Sequence, residues 1–256
     1  MSKVSFRFYA QLNDFLPARQ RGRRFRHVLP ALPSVKDAIE ALGVPHPEVD
    51  VIVVNGTAEA FAYRLRDGDH VSVYPVFRSI DIAGLRRVGT DPPVPIRFVL
   101  DVHLGRLATF LRLAGIDAVT LVDDADIATT GGRDERVVLT RDVVLLKRNV
   151  IRHGYWVRHT VPGLQLVEVL ERFDLGGRMD PFTRCLRCNT AIVPVEVDAV
   201  ADQLLPRTRA TFQQFRRCPG CGRIYWRGSH YNRLVQLIER ARDLLDARGS
   251  PSGLSE

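Results

Sequence analysis

The chain contains four cysteines, arranged as two C-x-x-C pairs, Cys185-Leu186-Arg187-Cys188 and Cys218-Pro219-Gly220-Cys221. A C-x-x-C on a tight turn presents two sulfurs to one ion, and two such knuckles complete a closed tetrahedral site of the kind Zn²⁺ prefers. A closed site has no open coordination position, so this zinc is expected to hold the fold rather than to catalyse. Two matched pairs disfavour a redox dithiol, whereas an iron–sulfur cluster stays open on spacing alone. The interval between the pairs accommodates a helical insertion from about Asp198 to Phe215.

In a reducing compartment such pairs stay as thiolates, and Met1-Ser2-Lys3-Val4-Ser5-Phe6 lacks the apolar run of a signal peptide. No stretch of eighteen apolar residues occurs either, so a soluble, cytoplasmic protein with no membrane partner is expected. At 256 residues and 45% hydrophobic content the chain can build two or three modules. Its net charge of +8 favours a polyanionic partner without deciding for one.

The first module opens with the alternating strand Val4-Ser5-Phe6-Arg7-Phe8, read as half of a hairpin. Ser34 before Val35-Lys36-Asp37 looks like a capping box, with Val35, Ala38, Ile39 and Leu42 at helical spacing until Gly43 and Pro45. The strand Val51–Val54, the turns Asn55-Gly56 and Asp67-Gly68, and a last strand Val71–Tyr74 complete the order ββαββ. Through Val53-Val54-Asn55-Gly56 and Leu65-Arg66-Asp67-Gly68-Asp69-His70-Val71 this segment resembles the β-grasp, ubiquitin-like sulfur carriers. Carriers end in a free Gly-Gly, whereas this chain continues through Val76-Phe77-Arg78-Ser79. The resemblance therefore implies a docking or substrate-presenting role rather than sulfur transfer.

After the linker Pro93-Val94-Pro95, a strand at 96–100, a helix carrying Leu104, Leu107, Leu111 and Ala114, and a strand near 119–122 form a βαβ unit. Strands at 137–140 and 155–157 and a helix from about Gly163 to Phe173 extend a parallel sheet with helices on its faces. Asp101 and Asp142 each follow a predicted strand, where sites of open parallel sheets form. Converging carboxylates there can hold Mg²⁺ or Mn²⁺. Asp123, Asp124 and Asp126 are candidates for a further ligand, although any one of these aspartates could instead cap a helix or end a strand. Asp117, after a helix stop, reads as a turn residue.

Phe98-Val99-Leu100-Asp101, Leu104-Gly105-Arg106-Leu107-Ala108, Leu111–Asp117 and Val138-Leu139-Thr140-Arg141-Asp142 together resemble the PIN-like ribonuclease domain of the Mut-seven carboxy-terminal family. In that family the first and last stretches supply metal-binding acids, a zinc ribbon follows, and some bacterial members carry a ubiquitin-like domain in front. The resemblance implies an α/β protein with an N-terminal β-grasp domain (1–78), a PIN-like parallel-sheet α/β domain (95–180) and a C-terminal zinc ribbon with flanking helices (181–246). It also implies the metal-binding acids Asp101 and Asp142; the third acid it leaves open between Asp124 and Asp126, and Asp124 is taken as the catalytic candidate. Gly131-Gly132-Arg133-Asp134-Glu135 departs from the pattern, occupying a stretch where such domains continue a helix. Thr140 could support the metal shell or the substrate, and Arg106, Arg112 and Arg141 could grip phosphate oxygens.

From Arg184 to Arg233 nine arginines face three acids. Tyr225, Trp226 and Tyr231 are interleaved with Arg223, Arg227 and Arg233, a mixture that suits unpaired RNA, although the rings could equally pack the ribbon core. His230 could contact phosphate or cap the ribbon. The leading expectation is a metal-dependent ribonuclease using Mg²⁺ or Mn²⁺, with structural Zn²⁺. Its expected partners are RNA, with tRNA or another structured RNA as candidates, and a protein docking through the β-grasp domain. The alternatives are a non-catalytic zinc-ribbon RNA-binding adaptor and a sulfur-transfer accessory. The tail Arg248–Gly253 has the composition of a disordered segment.

Overall fold

A computed structural model describes residues 2–76, 84 and 87–249. In chain order the strands are β1 (Ser2–Phe8), β2 (Phe25–Leu29), β3 (Val51–Val54), β4 (Thr57–Glu59), β5 (His70–Tyr74), β6 (Phe98–Asp101), β7 (Ala118–Leu121), β8 (Val137–Thr140), β9 (Gly154–Trp156), β10 (Val193–Val195), β11 (Phe215–Arg217) and β12 (Ile224–Trp226). The α-helices are α1 (Val35–Ala41), α2 (Gly105–Leu113), α3 (Asp124–Arg133), α4 (Val143–Leu146), α5 (Pro162–Arg172), α6 (Pro206–Thr211) and α7 (Ser229–Gly249). The chain forms two compact units, one of Met1–Val94 with Asp124–Trp156, the other of Pro95–Asp123 with Val157–Glu256. Among the described residues no helix is long and apolar enough to cross a membrane.

In the first unit the sheet runs β2-β1-β5-β3-β4, with β1 parallel to β5 and its other neighbours antiparallel. Alternation along β1 sends Val4, Phe6 and Phe8 into the core and leaves Lys3 and Arg7 on the outer face. Helix α1 covers the inner face with Val35, Ala38 and Ile39. It starts as the sequence predicts, the Ser34 side chain accepting from Asp37 N at 3.2 Å. Each fully buried Phe, Ile or Leu of this core contributes roughly 1.5–3 kcal/mol. Asn55 and Gly56, both at positive φ, close a two-residue hairpin between β3 and β4. The expected order ββαββ missed β4, three residues too short to show a period. The β1–β2 connection is longer than a hairpin turn, holding 3-10 turns at Ala10–Phe15 and Ala18–Gln20, with Leu12 buried in the core.

The same unit contains α3, β8, α4 and β9, with β8 parallel to β9. The glycine pair does not interrupt helix α3, contrary to the sequence expectation. A Cβ on Gly132 would lie 2.8 Å from the Val150 carbonyl oxygen, so the glycine admits a close backbone neighbour. Residues 147–156 are tied to the β-grasp elements by polar contacts. Lys147 Nζ donates to Glu40 O at 2.7 Å, and Lys36 Nζ to Asn149 Oδ1 at 2.6 Å. The buried His46 ring meets Ile151 O at 2.8 Å and Glu40 Oε1 at 2.7 Å. Trp156 N donates to the buried Glu48 at 2.7 Å.

In the second unit β6 and β7 are parallel, and α2 and α5 bury apolar stripes that include Leu107, Leu111, Leu166 and Leu170. Phe98 of β6 meets Phe173 edge-on at 5.2 Å. An antiparallel sheet, β10-β11-β12, forms the C-terminal ribbon. The expected helical insertion is a 3-10 turn at Asp198–Gln203 followed by α6, and Phe215 begins strand β11 instead of ending a helix. Phe77–Ser79 and the tail beyond residue 249 lie outside the described residues.

Candidate metal centre and acidic positions

Each C-x-x-C forms the same turn. The fourth residue after the first cysteine folds back, Asn189 N donating to Cys185 O at 3.0 Å and Gly222 N to Cys218 O at 2.9 Å. Both Asn189 and Gly222 take positive φ, the left-handed conformation that asparagine and glycine adopt most readily. A Cβ on Gly220 would lie 2.7 Å from Thr190 Oγ1, so the second knuckle needs glycine there.

The four ligand sulfurs all lie within 4.8 Å of one another, and among the described residues no other group of three or more Cys, His, Asp or Glu side chains is so gathered. Cys185 and Cys221 sulfurs are 3.6 Å apart, and those of Cys188 and Cys218 3.3 Å. A tetrahedral zinc with bonds of about 2.3 Å places its sulfurs ~3.8 Å apart, so the quartet could hold such an ion. Cys185 and Cys218 are buried, while Cys188 is exposed.

The surroundings treat the sulfurs unequally. Hydrogen bonding by Thr190, through its side chain first and then its backbone, lowers the Cys188 thiol to about 6. Burial pushes Cys218 up to about 11. Burial also works against the Cys185 thiolate, yet bonds from the Tyr225 hydroxyl and nearby backbone hold that thiol below its ordinary range. Tyr225 donates to Cys185 Sγ at 3.1 Å and accepts from Leu186 N at 3.0 Å. Its ring packs against the cysteines, so of the two readings open to it the ribbon core is the observed one. Trp226 tilts against Phe215 with 40% of its surface exposed, and Tyr231 packs on Phe182 with Arg227 over its ring. The side chain of His230 lies outside the described ones.

The first knuckle is fastened to the βαβ elements of the same unit. Arg112, expected to meet a phosphate, is only 6% exposed. Its guanidinium donates to Ala118 O at 2.7 Å, Leu186 O at 3.1 Å, Arg187 O at 3.0 Å and Thr120 Oγ1 at 3.4 Å. It therefore clamps the knuckle to β7 and is not presented to a substrate. Asn189 adds a second fastening, its Oδ1 accepting from Ala118 N at 3.1 Å and its Nδ2 donating to Asp117 at 2.8 Å. Asp117 also pairs with Arg184 at 3.4 Å, in keeping with a turn residue. The sequence places Asn189 in the knuckle turn, and an asparagine straight after C-x-x-C is itself a sign of a left-handed turn end; its fastening to β7 is what the structure adds.

The acids occupy strand ends and helix starts. Asp101 ends β6, and its Oδ1 accepts from His103 N at 3.0 Å. Asp142 caps α4, Oδ1 accepting from Val144 N at 2.7 Å, while its own N–H donates to Thr140 Oγ1 at 3.0 Å. In each case the other carboxylate oxygen has no hydrogen bond among the described residues. Thr140 is fully buried, so its hydroxyl fixes the Asp142 backbone and, contrary to expectation, does not face a substrate. Asp124 begins α3 with Oδ2 4.0 Å from Arg148, and Asp126 shares that first turn. Arg106 and Arg141 are exposed. The Arg141 guanidinium lies over the Trp156 ring at 5.8 Å, and Trp156 Nε1 donates to the Arg141 carbonyl at 3.0 Å.

No curated protein and no solved structure matches the chain. Two family domains do: the Mut7-C ubiquitin domain over residues 1–81 and the Mut7-C RNAse domain over residues 96–238. The second covers more than half of the sequence and spans both the aspartates and the cysteine quartet; the chain belongs to the Mut7-C RNAse domain family.

Proposed function

We propose that this protein is a metal-dependent ribonuclease in which Asp101, Asp142 and Asp124 hold Mg²⁺ or Mn²⁺. The observation that carries the reading is the Mut7-C RNAse domain match over a segment in which Asp101 ends one parallel strand and Asp142 lies just past the end of another. Each commits one carboxylate oxygen to its own turn, which fixes the side chain and leaves the second oxygen for a hard cation. When bound, such an ion orients water towards the phosphodiester and neutralises developing charge. Thr140 and Trp156 hold the loop that carries Asp142, and the exposed Arg106 and Arg141 supply donors for phosphate oxygens. Zn²⁺ in the Cys185–Cys188–Cys218–Cys221 quartet is structural, which the closeness and partial burial of the sulfurs support. The β-grasp domain (1–78), nuclease domain (95–180) and ribbon (181–246) act together in the cytoplasm.

The test is cleavage of single-stranded and structured RNA by the purified full chain with Mg²⁺ or Mn²⁺. Asp101→Asn and Asp142→Asn keep side chains able to cap, so the expected result is at least a hundredfold loss of cleavage with the fold retained. Intact RNA with the wild-type chain under both ions, or undiminished cleavage by the variants, overturns the reading. RNA binding without turnover would make the chain an adaptor.

A further inference from the structure

The outer face of the β-grasp sheet collects positive charge that the nuclease reading does not use. Lys3 and Arg7 project from β1 on the side opposite the core, and both are exposed. Antiparallel pairing sets Arg26 of β2 directly across from Ser5, between them, and exposed Arg24 precedes that strand. Parallel pairing sets exposed His70 of β5 beside Ser5 on the other flank. None of Lys3, Arg7, Arg24 and Arg26 forms an ion pair among the described residues. The segment from Phe15 to Lys36, which includes β2, contains no acid.

Arg7 is held in place. Its guanidinium lies 4.9 Å from the Tyr9 ring centroid, and Tyr9 stacks on Tyr74 of β5 at 4.2 Å and 14°. The Tyr9 phenol sits below its usual range, first through its hydrogen bond with Tyr74 and also through the charges of Arg7 and Arg24, which places both cations near this stack. A guanidinium fixed on an aromatic prop loses less freedom when it binds an anion.

We propose that this sheet face is an RNA-binding surface, gripping the phosphate backbone of the substrate through Lys3, Arg7, Arg24 and Arg26. The inference rests on RNA being the substrate. Charge complementarity selects the occupant. Protein interfaces are depleted of charge at their centre, whereas here the centre of the face is Ser5 and Arg7 flanked by Arg26 and His70. Among the described residues of β1 and β2 the one exposed large apolar side chain is Val28, on the edge strand. Backbone contacts of this kind carry no base information, so the surface adds affinity without sequence preference.

The test uses the full chain carrying Asp142→Asn, so that binding is read without turnover, and a fluorescein-labelled 30-nucleotide single-stranded RNA. Adding Arg7→Gln, Arg24→Gln and Arg26→Gln is expected to weaken binding at least tenfold. It should also flatten the plot of log affinity against log salt by about 2, since each phosphate contact on a single strand contributes about 0.7. Tyr9→Leu, which removes the prop and keeps every charge, should weaken binding several-fold with the slope unchanged. Unchanged affinity and slope in the triple variant overturn the proposal, provided that its thermal midpoint matches the parent. It is equally overturned if the triple variant keeps RNA but loses a polyglutamate peptide, because the face would then take an acidic protein. The same substitutions in the Asp142 background of the wild-type chain separate the two claims. Cleavage that survives them with unaltered RNA affinity sinks the surface alone, and RNA binding that needs the arginines in a chain that never cleaves sinks the nuclease alone.

Discussion

The buried carboxylate of Glu48, in the β-grasp domain, accepts a hydrogen bond from the backbone N–H of Trp156 at 2.7 Å, 108 residues along the chain. Trp156 in turn binds the carbonyl of Arg141 through its indole N–H and carries the Arg141 guanidinium over its ring. Asp142 is the next residue. A connected set of contacts within one unit thus runs from the ubiquitin-like domain to the loop that carries a candidate catalytic acid.

Glu48→Ala leaves the half-buried Trp156 N–H without this acceptor, which costs on the order of 1 kcal/mol. The expected outcome is a fall of several degrees in the thermal midpoint together with slower cleavage. Calorimetry and single-turnover kinetics measure the two effects. A midpoint within one degree of wild type would refute the structural role of the bond.

Thr140→Val keeps the shape of a fully buried side chain and deletes the acceptor of the Asp142 N–H. Cleavage should drop at least tenfold in kcat with little change in KM, and Thr140→Ser, which restores a hydroxyl, should recover most of it. Equal loss in both variants would argue for packing rather than hydrogen bonding.

Arg112 clamps the first cysteine knuckle with its planar fork, a geometry that lysine cannot reproduce. Arg112→Lys should destabilise the chain by about 2 kcal/mol or more, since hydrogen bonds to charged groups are worth about 1.5–3 kcal/mol. It should also hasten loss of zinc to a chromogenic chelator roughly tenfold, with metal stoichiometry at rest unchanged.

Zinc must displace protons from the thiols that hold them, and burial keeps Cys218, at about 11, protonated near neutrality, while Cys188, at about 6, is already largely ionised. Affinity should therefore fall steeply as pH drops from 8 to 6. Competition titrations read this, and elemental analysis should give one zinc per chain, lost in Cys218→Ser.

Burial lowers the His153 imidazole, against an opposing pull from Glu135. The folded chain then binds a proton less readily than the unfolded one, whose histidine titrates near about 6.5. Stability from this group is complete above that pH and is lost as pH falls below it towards the folded value. His153→Gln should flatten the dependence of the thermal midpoint on pH below about 6.5.

Much of the architecture was legible because it rests on local signals. The Ser34 cap, the Asn55-Gly56 turn and the alternation of β1 act over a few residues, and each takes the form expected. The paired cysteines announced their own clustering. What stayed hidden depends on distant partners. Arg112 and Thr140 look like surface polar residues until β7, the knuckle and the start of α4 enclose them. The glycine pair in α3 looks like a departure from a continued helix because nothing nearby in sequence reveals the Val150 backbone beside Gly132. The basic β-grasp face stays hidden in the sequence because its members come from three strands and the residue before β2, and only pairing in the sheet assembles them.

The passage of the chain between its two units bears on how such a protein can be cut and recombined. Residues 124–156 fall inside the segment matched by the RNAse domain, yet they make one unit with the ubiquitin-like residues. A truncation starting at residue 95 would strip Trp156 of Glu48, Ile151 of His46 and Lys147 of Glu40 in one stroke. The ubiquitin-like domain is thus less a detachable accessory than a share of the foundation on which residues 124–156 of the RNAse-domain segment stand. Swapping it for a relative's copy should succeed only when those three contacts travel with it.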